Sequence, residues 1–327
     1  MMKKNLHSHT QFCDGRSTMA EMVAVARHTG FDIWGFSPHA PISIPSPCNM
    51  SSDSVSEYMN EVARLRSENL DIKLLAGMEV DFLNEKEGHF TEKVAGYGLD
   101  YVIASVHFIP DRKGVYHDID GSPERFAKKL VEVFDNDLDY VVRTFWQQTL
   151  CMIECHRPGQ LYTIIGHIDK IARNASTVNP LIEQQAEYRR LASEVIDKAL
   201  ASDMVIEINT KQRKTAGRFF PHPRYWLRIV RANHPYIFSS DAHHVDSVDA
   251  GLDEARRLLA AMIDFDNCDE AFIKRDDTMV FRELDSQLVA GIDFTGITQL
   301  YASRLSAEGL ERLPENITVD YDLLFNE

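Results

Sequence analysis

Two histidines one residue apart, His7 and His9, stand just before an aspartate, Asp14, near the N-terminus. On a strand, side chains i and i+2 share a face, so a strand here presents both imidazoles together as half of a divalent-metal site. Taken alone, the pair reads more often as a polar tail with two incidental histidines, because short motifs match by chance. The rest of the chain changes that balance. The apolar runs 33–36, 72–78, 101–106, 161–166, 204–208 and 236–240 each end near a residue of the same chemical kind. In order these are His39, Glu79, His107, His167, Asn209, and then Asp241 with His243. Any one of them is an ordinary polar residue at a strand end, but chance does not account for the series. Imidazole and carboxylate without thiolate select zinc, manganese or iron. The set is too large for one four-coordinate ion, which implies two or three divalent transition metals.

The elements that must position these groups follow from periodicity. Thr18 with Glu21 three residues on is a capping box, opening a helix that runs to His28 and stops at Thr29-Gly30. A Pro- and Ser-rich loop spans 40–52, and a helix over 53–68 carries Val55, Met59, Val62 and Leu65 at helical spacing. A short helix is expected over 90–97, a loop with Asp111, Asp118 and Asp120 after it, and one or two helices over 123–152. Further helices are expected over 181–202, 225–233 and 249–263. Strand, helix, strand in alternation is the pattern of a parallel sheet with crossover helices. The strands are apolar throughout rather than alternating, as in sheets covered on both faces. About seven such units suit a closed βα barrel, with an open doubly wound sheet as the alternative. In a barrel every strand C-terminus opens on one mouth, so the residues above converge there. Residues 1–265 form the barrel in this reading, and 266–327 form an extension packed on it within a single domain.

Composition bounds the function. With 327 residues, 44% hydrophobic and 26% charged, the chain has an ordinary soluble balance. A net charge of −15 disfavours nucleic acid as a partner. No stretch is apolar for the ~18 residues of a membrane span, and Met1-Met2-Lys3-Lys4 leads into no signal core. Five cysteines, an odd number in a long chain, point to reduced thiols and a cytoplasmic setting. Cys151 and Cys155, at helical spacing, read as buried helix residues, and Cys13 as packing. Trp34, Trp146 and Trp226 read as core; His89, His117, His222 and His234 read as loop or surface histidines. The basic run Lys211, Arg213, Lys214 and Arg218 follows a strand end, so its loop is expected at the mouth. An arginine there clamps phosphate through two parallel hydrogen bonds. Arg213 is the first candidate for that role, and His156-Arg157 the second.

The ordered set His7-x-His9, Asp14, His39, Glu79, His107, His167 and Asp241-x-His243 resembles the PHP (polymerase and histidinol phosphatase) family over roughly residues 5–265. The stretches Ser37-Pro38-His39-Ala40-Pro41, Gly77-Met78-Glu79-Val80-Asp81, Ser105-Val106-His107-Phe108, Gly166-His167-Ile168-Asp169 and Ile208-Asn209-Thr210 resemble its stand-alone histidinol-phosphate phosphatases. The resemblance implies a distorted (β/α)7 barrel with a trinuclear site at the C-terminal mouth of the strands. His7, His9, Glu79 and Asp241 would hold one metal; Glu79, His107 and His167 a second; Asp14, His39 and His243 the third. Glu79, Asp241 and His243 would be catalytic, and a metal-activated hydroxide would hydrolyse L-histidinol phosphate. Lys211, Arg213, Arg218, His156 and Arg157 would meet this small phosphorylated substrate, with Asp81, Asp118 or Asp120 facing its ammonium. The alternative is a PHP-type phosphoesterase on another phosphomonoester, a nucleotide or a nucleic-acid end. A scaffold that has lost catalysis would not keep so costly a carboxylate cluster. A C–N hydrolase of the amidohydrolase kind would bring a metal-bridging lysine at a strand end, and no strand end supplies one.

Overall fold

The computed structural model describes residues 2–159 and 161–266, together with 279–281, 299–302 and 318–320. Strands follow in the order β1 (Lys4–Asn5), β2 (Ile33–Phe36), β3 (Lys73–Asp81), β4 (Tyr101–Ser105), β5 (Phe108–Pro110), β6 (Tyr116–Asp118), β7 (Tyr162–Ile165), β8 (Val205–Asn209) and β9 (Tyr236–Ser239). Seven of them form one parallel sheet, ordered β1-β2-β3-β4-β7-β8-β9. Its two edges meet. Ser8 and Ala242 form a parallel bridge, His9 N–H donates to Ala242 O at 2.8 Å, and the Asn5 amide donates to Ser240 Oγ at 2.7 Å. The sheet therefore curls into a nearly closed seven-stranded barrel rather than the open alternative.

The helices are α1 (Met19–His28), α2 (Val55–Glu68), α3 (Glu92–Ala95), α4 (Pro123–Glu132), α5 (Leu138–Glu154), α6 (Ile171–Val178), α7 (Ala186–Leu200), α8 (Arg213–Ala216), α9 (Trp226–Arg231) and α10 (Leu252–Asp266). The capping box at Thr18 and Glu21 is present in full. Asp135 and Asn136, both at positive φ, separate α4 from α5, so the 123–152 segment is two helices. Two elements differ from expectation. The loop carrying Asp111 and Asp118 is an antiparallel hairpin, β5–β6, whose strands are only three residues long. α6 occupies a stretch to which the sequence pattern gave no element, and Asn174, Ser176 and Thr177 explain why propensity gave no signal.

The barrel interior is filled by Leu6, Tyr101, Ile103, Ile164, Val205 and Ile237. Tyr101 lies across it, with its hydroxyl 2.5 Å from Leu6 O and 3.0 Å from Phe36 O. A Cβ added at Gly35 or Gly77 would fall 2.4 Å from this side chain, so both glycines make room for the ring. A second apolar layer, including Met19, Met22, Trp34, Phe36, Tyr58 and Val62, seals the sheet against α1 and α2. Trp34, Trp146 and Trp226 are all buried.

The chain divides into two compact units, 1–221 with 233–253, and 222–232 with 254–327. In the second, β10 (Met279–Phe281), β11 (Gln299–Ala302) and β12 (Thr318–Asp320) form a parallel three-stranded sheet. The rest of the extension expected over 266–327 lies outside the described residues, as does Cys268. Among the described residues no helix is long and apolar enough to cross a membrane.

Candidate metal centre

The strand ends bring the nine expected donors to one place. His7 Nε2 lies 3.2 Å from His9 Nε2 and 3.3 Å from Glu79 Oε2, and His9 Nε2 is 3.3 Å from both Glu79 Oε2 and Asp241 Oδ1. On the other oxygen of Glu79, Oε1 lies 2.8 Å from His167 Nε2 and 3.6 Å from His107 Nε2, and these two nitrogens are 3.2 Å apart. A third group gathers round Asp14 Oδ1, with His243 Nε2 at 3.4 Å and His39 Nε2 at 3.9 Å. His39 Nδ1 also faces Glu79 Oε2, at 3.2 Å.

These spacings fit divalent ions. Four ligands at about 2.05 Å from a tetrahedral ion lie about 3.3 Å from one another. Tautomers support the same reading. His7 Nδ1 is 2.6 Å from Glu207 Oε1, and His107 Nδ1 is 2.8 Å from Asp81 Oδ1, so each gives one proton outward and leaves its inward Nε2 as the atom that would meet a metal. The inward nitrogens of His7 and His107 stand 3.2 Å from those of His9 and His167, a spacing that needs a shared proton or a cation between them. Asp14 Oδ1 and His39 Nδ1 are buried and make no hydrogen bond among the described residues. A buried set of this kind is costly without its cations. Among the described residues, the groups able to hold a metal all come from these nine.

The backbone is bent to serve the site. His167 and Asp241 have φ of 20° and 50°, in the left-handed region, a strain of about 1–3 kcal/mol each. Glu207 Oε2 holds His167 by accepting its N–H at 2.8 Å, and the Asn209 amide holds Asp241 Oδ2 at 3.1 Å. A Cβ at Gly15 would meet Thr10 N at 2.2 Å, so only glycine lets the 10–17 loop fold back and set Asp14 beside His243.

Electrostatics divide the donors. Burial pushes the Glu79 carboxyl up, but His7, His107 and His39 together with the bond from His167 hold it well below its usual range. Burial opposes ionisation of Asp241 as well, and Lys211 and His7 outweigh it. Burial, with His243 and His39 adding to it, takes His9 down to about 3. Burial and Lys170 take His167 down to about 4. For His7, burial is overcome by Glu207, Asp241 and Glu79, which raise it. Against burial, Glu79 and Asp81 raise His107 to about 9. The carboxylates are anionic and His9 and His167 neutral, the states that bind metal.

A cavity of about 480 Å³ opens over the centre. One wall carries Glu79, His107, His167 and Asp241; the other carries Ile44, Pro45, Pro47, Val115, Tyr116 and His117 from the 44–49 loop and the β5–β6 hairpin. Of Lys211, Arg213, Arg218, His156 and Arg157, Lys211 alone lines it, with Nζ 3.1 Å from both Asp241 Oδ1 and His243 Nε2. The other four stand elsewhere. Arg213 is half-buried on α8, donates to Gly217 O and lies over the Phe219 ring, because the chain turns away from the mouth after Lys211. Arg218 is paired with Asp169 at 3.0 Å and Glu183 at 2.5 Å. His156 binds Asp203 at 3.0 Å and stacks on His89, and Arg157 is exposed. The cationic wall is instead Lys170, Arg125 and Lys129 with Lys211.

Asp118 and Asp120 line the cavity but are committed to Lys129 at 2.8 Å and Lys170 at 3.2 Å; Asp81 is committed to His107. His89 and His234 are buried rather than superficial, and His117 faces the cavity. Sequence reasoning missed Glu207 and Lys170. The signal for Glu207 was present, a charge inside the apolar run 204–208.

Comparison with known proteins agrees with this geometry. The PHP domain family model matches residues 5–211. A probable histidinol-phosphatase of Deinococcus radiodurans is 27% identical over 250 residues, 74% of this chain and 86% of that one. The histidinol-phosphatase of Lactococcus lactis is 27% identical over 213 residues, 64% and 72% of the two chains. A crystal structure of a histidinol phosphate phosphatase from that strain, complexed with zinc, L-histidinol and phosphate, has the same fold, with TM-score 0.58, 18% identity and coverage of 79% and 93%. The putative histidinol phosphatase hisK of Listeria monocytogenes shares it too, with TM-score 0.67, 19% identity and coverage of 77% and 99%. With the PHP domain family model matched over more than half its length, this chain belongs to the PHP domain family.

Proposed function

We propose that the chain is a metal-dependent phosphomonoesterase that hydrolyses L-histidinol phosphate to L-histidinol and phosphate, a step of histidine biosynthesis. The carrying observation is the convergence of nine imidazole and carboxylate donors, in groups spaced for divalent ions, on a cavity sized for a small molecule. The names of the relatives supply the substrate. The bound zinc, L-histidinol and phosphate of the Lactococcus structure are in keeping with it.

Three divalent ions, as zinc, manganese or iron, are proposed: one on His7, His9, Glu79 and Asp241, one on Glu79, His107 and His167, one on Asp14, His39 and His243. Ions held there supply hydroxide at neutral pH and offset the charge that gathers on the phosphoryl oxygens. The chain's own part is placement. Glu79 offers one oxygen to each of two groups and so fixes their separation. Glu207 and Asp81 accept the outward protons of His7 and His107, which leaves the inward nitrogens as the atoms that would meet the metals. Lys211 places a positive charge beside Asp241 and His243. The wall of Ile44, Pro45, Val115 and Tyr116 excludes water on the far side and takes the imidazole-bearing end of the substrate. A cytoplasmic setting is part of the proposal, supported by the free thiols Cys13, Cys48, Cys151 and Cys155.

The test is phosphate release by metal-quantified protein on L-histidinol phosphate beside nucleotides, sugar phosphates and single-stranded DNA. A dominant kcat/KM on histidinol phosphate is expected. Turnover confined to other substrates would reject the substrate and keep the chemistry.

A further inference from the structure

Lys170 is an uncommon residue in position and partnering. It follows His167 by three residues, in the turn between β7 and α6, and its side chain is 5% exposed. A buried ammonium carries three donors and needs acceptors for them. Among the described residues, the one carboxylate within 4 Å of Nζ is Asp120 Oδ2, at 3.2 Å. Asp120 Oδ2 takes one of its three N–H groups at most, and no other oxygen among the described residues is bonded to Nζ. Nζ stands over the buried Phe220 ring, 5.7 Å from its centroid, so an aromatic face rather than water flanks it on that side. What remains open to Nζ is the cavity, whose wall Lys170 shares with Glu79, His107, His167 and Asp241. Asp120 does not neutralise the pair, because Arg173 Nη1 stands 3.6 Å from its other oxygen. Two cations therefore share one carboxylate, and the Lys170 ammonium faces the cavity in the field of Glu79 and Asp241, the carboxylates that metal ions would neutralise.

From this geometry we infer that Lys170 is a substrate-contacting residue whose ammonium binds the phosphoryl oxygens, the role that Arg213 and Arg157 are too distant from the cavity to fill. The ligand class is a tetrahedral oxyanion: it matches two unspent donors on one side and divalent cations on the other, which neutral or cationic groups do not. The inference rests on the phosphatase reading for its substrate but not for its binding chemistry, since inorganic phosphate presents the same oxygens.

The test uses the metal-loaded full chain, with inorganic phosphate as the probe. Lys170→Met keeps the length of the stem and removes the charge. Calorimetric phosphate affinity should fall roughly tenfold or more, as expected when one charge-assisted contact is lost. KM for the phosphomonoester should rise in parallel, metals per chain should stay at the wild-type value, and Lys170→Arg should recover part of the affinity. Unchanged phosphate affinity in Lys170→Met overturns the inference. Loss of bound metal in that variant overturns it too, because the lysine would then act through the centre's architecture. Should Lys170→Met not fold, the wild-type protein gives the same answer. Amine acylation mapped by peptide mass spectrometry should be slowed by phosphate at Lys170 and not at the exposed Lys86, and equal rates overturn the inference. If phosphate binding depends on Lys170 while no phosphomonoester turns over, the functional proposal fails and this one stands. If turnover is intact and Lys170→Met is silent, the reverse holds.

Discussion

Replacing Glu207 by glutamine tests the centre through a residue that is expected to touch no metal. Glu207 is fully buried, and its two oxygens serve three donors: His7 Nδ1 at 2.6 Å on Oε1, and His167 N–H at 2.8 Å with Asn209 Nδ2 at 3.2 Å on Oε2. Glutamine has one acceptor oxygen in the same volume. If its NH2 takes the Oε2 place, two donors face a donor, and at least one buried N–H goes unsatisfied at a cost of about 1–3 kcal/mol. If the NH2 takes the Oε1 place, His7 escapes the clash by moving its own proton to Nε2, the nitrogen that faces His9 and Glu79. That proton blocks the metal lone pair. One placement loses stability and the other loses metal. The strained backbone at His167 also loses its anchor in the first placement. The expected outcome is a fall in affinity for the tightest metal of about 10–100-fold and a metal-free melting temperature lower by roughly 2–10 °C. Competition with a chromophoric chelator reads the first, and circular-dichroism melts read the second. A variant with wild-type affinity and wild-type melting would show that the Glu207–His7 contact positions nothing, and the tautomer argument would fall with it.

Other perturbations separate the remaining claims. Glu79→Gln should abolish phosphate release and lower metal per chain with the fold retained, because Glu79 contributes to two donor groups; full activity would discard the shared-carboxylate arrangement. Arg213→Ala should leave KM within about twofold of wild type, since a group outside the cavity makes no binding contact to lose; a tenfold rise would return the arginine to the site. Gly77→Ala should destabilise the barrel by about 1–3 kcal/mol in urea unfolding, its Cβ falling 2.4 Å from the Tyr101 ring, and wild-type stability would show that the ring has room to move. Stability of the chelator-treated protein should peak near neutrality. His9 and His167, held down to about 3 and about 4, bind protons in the unfolded chain before they do in the folded one. Each removes about 1.4 kcal/mol per pH unit below about 6.5. His107, raised to about 9, contributes stability that is fully present below about 6.5 and is lost as pH rises to about 9. Melts at acid, neutral and alkaline pH that rise or fall monotonically would contradict the opposed shifts.

The part of this molecule legible in its sequence is the part fixed by strand register. His39, Glu79, His107, His167, Asp241 and His243 sit at or just beyond strand ends, and a parallel barrel sends every such end to one mouth. Topology thus turns a one-dimensional pattern into a convergence, and the distances between donors require no further sequence information. The partners of those donors were not legible in that way. Asp81 lies two residues beyond Glu79 and shares its face, but it serves His107 on the next strand, and that pairing exists only once β3 and β4 are in register. Asp81 therefore read as a residue for substrate.

The basic residues were misplaced for a different reason. A strand end fixes where a loop begins and not where it goes, and after Lys211 the chain turns into α8 and carries Arg213 outward. Lys170 was passed over because nothing in Ile168-Asp169-Lys170-Ile171 distinguishes a buried lysine from an exposed one. Glu207 is the case where a rule was available. A strand buried on both faces has no solvated side for a carboxylate, so a glutamate inside Val205-Ile206-Glu207-Ile208 must meet a buried cation or donor. The histidine set at the strand ends supplied such a donor. The charge in the apolar run was already a statement that a buried donor lay across from it, and the His7 imidazole is one of the three donors it meets.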